Sequence, residues 1–198
     1  MKLLAMLPLG VFFVGWAVLL AAGGEPRPDT SQLSDRIPLP PQKREFTSPS
    51  GNYVFVVSNA DQWRSNQTAG ELLAVSGAAS GEARRSLWSR VLPQGFGPRF
   101  VLLNDRGQVL LLDEWINIKS RHAAVLLNRE NEVVVQHDFD AVQAVLQIPA
   151  AEIVRRSKHG WWIAAPPSLE PSGEVVRVET AGKTLLIGLA DGQLSLLD

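Results

Sequence analysis

From residue 44 to its end, the chain repeats one constraining pattern: two short runs of β-type residues flank a cluster of turn-forming residues. Val, Ile, Leu and Phe dominate the runs, whereas Gly, Asn, Asp and Pro dominate the clusters. Two such runs around a short turn are the signal of a β-hairpin. The clearest turn clusters are at residues 48–51, 104–107, 128–131, 181–183 and 190–192. The pattern predicts an all-β, antiparallel domain.

Several of the runs are apolar throughout, without alternation between apolar and polar residues. Residues 54–57, 109–112 and 133–135 are the examples. Continuous apolar strands are expected where both faces of a sheet are covered. The sequence therefore predicts face-packed sheets, propeller-like or sandwich-like in arrangement.

One short helix is expected within this β-rich region. Asp140 is placed to cap it, Gln143 follows three residues later, and Pro149 ends it. The polar, Gly- and Ala-rich residues 61–81 predict a loop that contains at most one short element.

Internal repetition divides the domain further. Residues 100–115 and 124–139 share a pattern at an offset of 24, and Gly51, Gly107 and Gly160 each precede an apolar run. In the last case, we expect a hairpin of strands at residues 152–156 and 161–163. These repeats predict three four-stranded units at residues 44–92, 98–139 and 151–198. Units of this length with four strands are typical of propeller blades.

The segment Phe-Thr-Ser-Pro-Ser-Gly-Asn-Tyr-Val at residues 46–54 resembles the Ser-Pro-Asp-Gly turn of TolB-type and WD-like β-propeller repeats. It carries Ser50 where those repeats favour Asp, and the resemblance covers about ten residues. Ser-Pro-Ser-Gly is also a favourable turn in any fold. The resemblance implies an architecture and a tendency to bind partners, and it implies no reaction.

The N-terminus predicts export. Lys2 precedes an uncharged apolar run at residues 3–22, and small residues follow at 21–23. Residues 1–23 therefore form a cleaved signal peptide or an uncleaved membrane anchor. Residues 24–43 are a Pro-rich linker to the domain at 44–198. We expect an extracytoplasmic protein, whether periplasmic, secreted or membrane-anchored through its N-terminus.

Composition excludes several function classes. With 19 basic and 20 acidic residues, the chain has no charge excess to attract nucleic acid. It has no cysteine, which removes disulfides, thiol nucleophiles and zinc–thiolate sites. Nothing in the sequence calls for a cofactor.

Polar residues end two runs that the 24-residue repeat makes equivalent. Asp113 and Glu114 end the first, and His137 and Asp138 end the second. If the hairpins are neighbours, imidazole and carboxylates share one rim, where they could bind a divalent metal or divide general acid and base roles. Polar residues also belong at strand ends for structural reasons, and no metal is required by the pattern.

Trp161 and Trp162 are the other candidate site. Adjacent strand residues face opposite sides, so only one of them can enter a given core, and an exposed one could stack on a sugar or anchor a partner. The sequence favours a binding or scaffold domain whose partner is an unknown envelope protein or glycan. The open edges of three units predict either self-association or closure of the units into a compact sandwich. The alternative is a metal-dependent or carboxylate-based hydrolase that uses Asp113, Glu114, His137 and Asp138.

Overall fold

The structure, a computed structural model, describes residues 38–76 and 83–197. Within these residues the chain forms twelve strands and two helices. The elements are β1 Lys43–Thr47, β2 Tyr53–Ser58, β3 Ala69–Ser76, β4 Ala83–Val91, β5 Pro98–Leu103, β6 Val109–Glu114, β7 Ala124–Leu127, β8 Val133–His137, α1 Phe139–Leu146, α2 Ala150–Arg156, β9 Ser168–Leu169, β10 Val175–Thr180, β11 Lys183–Gly188 and β12 Leu194–Leu196.

The strands form three separate four-stranded sheets, each an antiparallel meander in chain order. We call them the first sheet (β1–β4), the central sheet (β5–β8) and the last sheet (β9–β12). The predicted all-β antiparallel fold is confirmed. The described strands do not close into a barrel.

The central sheet is the middle layer of a stack. Leu110 and Leu112 of β6 lie in a core shared with the two helices and the last sheet. Val109 and Leu111 alternate with them and lie in a second core against the first sheet. Every residue of β6 is buried as a result. The continuous apolar run at 109–112 thus has the cause that the sequence predicted, burial on both faces.

Polar side chains cover the outward faces at the two ends of this stack. In the first sheet, Arg84 of β4 reaches across to Glu45 of β1, with Nη1 2.8 Å from Oε2. Glu45 lies opposite Val56 in the neighbouring strand. Val56 is buried, although it is not part of the core between the first and central sheets. On the last sheet, Arg177 pairs with Glu170 at 3.3 Å. Such polar outer faces allow a short stack to end in water.

Two details of the helical region differ from the sequence prediction. Helix α1 is capped by Asp138, whose Oδ1 accepts the Ala141 N–H at 2.8 Å; Asp140 lies inside the helix. A second helix, α2, occupies the position of the expected strand at residues 152–156. Helix is favoured there because Glu152 lies in the first turn and pairs with Arg156 in the last turn at 2.7 Å.

In the last sheet, the turn equivalent to those of Gly51 and Gly107 lies at residues 170–173. The prediction that Gly160 occupies this turn was wrong. Gly51, Gly107 and Gly173 have φ values of 76°, 78° and 69°, and each donates its N–H to the carbonyl three residues earlier. These positive φ values favour glycine. Residues 171–173 repeat the Pro-Ser-Gly of residues 49–51. The residues around Gly160 form no strand.

Strand β3 lies within the stretch that the sequence predicted to be a loop. Its small residues reflect close packing: a Cβ at Gly70 would lie 2.6 Å from Leu92 Cδ2 and from Phe55 Cζ. Glycine here allows the strand to approach its neighbours, so the Gly and Ala content was misread as a loop signal.

The end of the predicted linker lies on the domain. The indole Nε1 of Trp63 donates to the Pro40 carbonyl at 2.8 Å, and that of Trp115 donates to the Pro38 carbonyl at 2.6 Å. Residues 1–37, which include the predicted signal or anchor, are outside the described part of the chain. Neither described helix is long and apolar enough to cross a membrane.

Candidate functional site

Asp113 ends β6 as a fully buried carboxylate in an unusual backbone conformation. Its φ is 56°, and its Oδ2 accepts the N–H of Trp161 at 2.7 Å. Its Oδ1 is buried and accepts no hydrogen bond from the described residues. A Cβ at Gly160 would overlap Oδ2, so glycine is required beside this carboxylate. Asp113 therefore ties the central sheet to the segment after α2.

Burial dominates the electrostatics of Asp113. It raises the pKa of this carboxyl from 3.8 to about 6, opposed by the N–H groups of Trp161 and Glu114 and by the charge of Arg99. The guanidinium of Arg99 is bound to Trp115: its Nη2 donates to the Trp115 carbonyl, and its central carbon lies 5.6 Å from the Trp115 ring centre. Arg44 lies over the same ring at 4.8 Å, and burial and Arg99 lower the pKa of Arg44 to about 10.

Glu114 has a different set of partners. Its Oε1 accepts the Ser120 hydroxyl at 3.2 Å and lies 3.3 Å from His122 Nδ1. Burial raises the pKa of Glu114, and the hydrogen bond and charge of His122 oppose that shift. His122 had no evident partner in the sequence, because nothing there shows that the loop after β6 returns to the end of the strand.

His137 and Asp138 each contact a partner that neither Asp113 nor Glu114 contacts. His137 Nε2 lies 2.8 Å from the Gly192 carbonyl oxygen, while Asp138 caps α1. Across residues 38–76 and 83–197, no group of three or more His, Cys, Asp or Glu side chains could hold a metal ion. The four predicted residues thus have four separate sets of partners.

The adjacent tryptophans have different environments. Trp162 is fully buried, and its carbonyl accepts the Thr180 hydroxyl at 2.6 Å. Trp161 is half-buried and packs edge-to-face on Phe139, with ring centres 6.5 Å apart. Trp162 cannot contact a ligand without opening the core, and Trp161 presents only part of its indole.

The outer edge of the central sheet is the strongest candidate for a binding surface. Strand β8, Val-Val-Val-Gln-His, pairs with β7 on one side and is the last strand of its sheet. Val133 is 46% exposed and Val134 is 38% exposed. The prediction that residues 133–135 are covered on both faces is therefore wrong for this chain alone. We call Val133–His137 the β8 edge.

Other strand edges of the described chain are protected in ways that the β8 edge is not. Strand β4 carries Arg84, Arg85 and Arg90, and such charges discourage pairing with another chain. Arg44 covers β5 by donating to the carbonyls of Pro98 and Arg99. Strands β9 and β12 have two and three residues. The β8 edge has no Asp, Glu, Lys or Arg in its five residues.

An open cleft of about 370 Å³ lies at the C-terminal end of β8. It is lined by Arg121, Gln136, His137, Asp138 and Ala141. Arg121 is exposed and forms no ion pair with a described residue. Arg121 could not be identified as a site residue from the sequence, because its proximity to β8 arises from the pairing of β7 with β8.

A scan against protein-family models finds no match to this chain, and a search of curated proteins also finds none.

Proposed function

We propose that this protein is an exported or membrane-anchored binding and scaffold domain that recruits a partner protein by strand addition at the β8 edge. The observation that carries the proposal is the uncharged edge strand with its exposed Val133 and Val134. An extended segment added there would form main-chain hydrogen bonds to β8 and cover the two valines.

The surrounding structure supports this function. Strand β8 pairs with the fully buried β7, and its Val135 packs against the core shared with the helices and the last sheet, so the edge is a preformed strand to which a segment can add. The neighbouring cleft offers polar groups, including Arg121, that could select among extended segments. A protein segment fits better than a glycan, because Trp162 is buried and Trp161 is only partly accessible.

The extracytoplasmic location follows from the apolar run at residues 3–22 and is part of the proposal. The test is intact-mass measurement and fractionation of the protein from its native host. We expect either cleavage before Gly24 or retention in the membrane fraction. A full-length chain in the cytosol with Met1 intact would contradict export.

The binding edge is tested by site-specific photo-crosslinking in the native host. A photoreactive residue at Gln136, which is exposed on β8, should give a crosslinked protein product. The same residue at Ser195, exposed on β12, is the matched control. We expect the Gln136 product to disappear with Val134→Lys, which adds a charge to the edge. Equal crosslinking from both positions, or none from Gln136, would contradict strand addition.

A further inference from the structure

We propose that the partner at the β8 edge is a second copy of this chain, paired antiparallel to the first about a twofold axis. This inference rests on the proposed strand addition and names its occupant. The two central sheets would join into one continuous sheet of eight strands. In a twofold arrangement each copy presents the same strand to the other, which is the commonest symmetry of soluble oligomers.

The charges around the β8 edge are self-complementary only in the antiparallel arrangement. Exposed Glu130 and Glu132 lie at the N-terminal end of β8, in the turn from β7. Arg121 and His137 line the cleft at the C-terminal end. Antiparallel pairing brings the acidic end of one copy to the basic end of the other, twice. Parallel pairing would place Glu132 beside Glu132 and Arg121 beside Arg121.

Other charged groups at these ends are already engaged within the chain. Arg129 lies over the Tyr53 ring, 5.6 Å from its centre, and so faces the first sheet. Asp138 caps α1 at the basic end, where its carboxylate accepts the Ala141 N–H. Arg90 donates to the Asn131 carbonyl at 3.2 Å, and Glu132 accepts the Asn128 side-chain amide through Oε2 at 2.8 Å but keeps its negative charge. The complementary pattern therefore depends on the charges of Glu130, Glu132 and Arg121.

The interface would be small, because β8 has five residues. Interfaces below about 1,200 Å² are usually weak or transient, so we expect a concentration-dependent monomer–dimer equilibrium. The dimer would close, because it uses the one described edge strand longer than three residues that has neither Asp, Glu, Lys nor Arg and no covering side chain. Further copies would have no equivalent edge to add to.

Sedimentation equilibrium of the full chain tests the inference through a charge exchange. Arg121→Glu and Glu132→Arg should each weaken self-association about tenfold, since each reverses two symmetry-related contacts. The double variant should restore wild-type association, because it exchanges the signs of the two ends. Val91→Lys is the control at an exposed apolar residue outside β8 and should change nothing.

Cysteine substitution supplies a second readout, since the chain has no cysteine of its own. Copies carrying Glu132→Cys mixed with copies carrying His137→Cys should form mixed disulfides faster than either copy forms its own. Faster self-linking of each copy would indicate parallel pairing and overturn the proposal. So would a wild-type chain that stays monomeric up to about 1 mM. A monomer whose Gln136 crosslinks to a different protein overturns the dimer and leaves strand addition intact; no crosslink at all ends both proposals.

Discussion

Buried Asp113 should make the stability of this domain depend on pH in an unusual direction. Its carboxyl pKa is raised from 3.8 to about 6 by burial, and its Oδ1 has no hydrogen-bond partner among the described residues. Between pH 4 and pH 6 the folded chain therefore keeps a proton that the unfolded chain releases. The stabilising contribution of the neutral carboxyl is complete below about pH 4 and is lost as the pH rises to about 6.

The magnitude follows from the shift in pKa. A change of about two units corresponds to about 3 kcal/mol over the whole titration, and about 2 kcal/mol of this unfolding free energy is lost between pH 4 and pH 7. Asp113→Asn removes the ionisation while keeping an oxygen to accept the Trp161 N–H. Asparagine also tolerates the φ of 56° at this position. Relative to the wild type, the variant should gain about 2 kcal/mol in stability on going from pH 4 to pH 7.

Urea unfolding followed by tryptophan fluorescence at pH 4, 5, 6 and 7 measures this difference. The matched control is Asp140→Asn, which removes a carboxylate from an exposed ion pair with Lys119. Exposed pairs of this kind contribute about 0–1 kcal/mol, so the control should stay close to the wild type at every pH. A difference between Asp113→Asn and the wild type that is the same at pH 4 and pH 7 would refute the reasoning.

Three further substitutions probe the contacts around the site. Gly160→Ala should lower stability by more than about 3 kcal/mol in urea unfolding, because its Cβ meets a fixed carboxylate; Gly51→Ala, with open space around it, should cost only the strain of its φ, about 1–2 kcal/mol. Equal losses would contradict the overlap. His122→Ala should cost about 1–3 kcal/mol by leaving buried Glu114 with one partner fewer, and adding Glu114→Gln should recover part of the loss in thermal melts. Arg44→Ala should lower the melting temperature, because it uncovers two β5 carbonyls, whereas an unchanged melting temperature would exclude that role.

At the candidate site, the sequence predicted the positions of the polar residues but not their contacts. The 24-residue repeat correctly placed Asp113 and His137 at the ends of strands in one sheet. It could not show that Asp113 turns towards Trp161 while His137 meets Gly192, since those contacts span 48 and 55 residues. Side-chain direction at a strand end depends on the segment that packs against it, and the repeat contains no information about that segment.

The sequence alone determined most of the hairpins of this protein, although it misassigned the segments of α2 and β3. Apolar runs and glycine turns specify antiparallel hairpins, because strand propensity and positive φ are properties of a few adjacent residues. The tertiary structure decided which strands are covered. Residues 109–112 and 133–135 look equally apolar in the sequence, yet β6 is buried on both faces and β8 is an exposed edge. The difference lies in the order of the strands in the sheet, which is set by packing between distant segments and which leaves β8 as the outer strand of the central sheet.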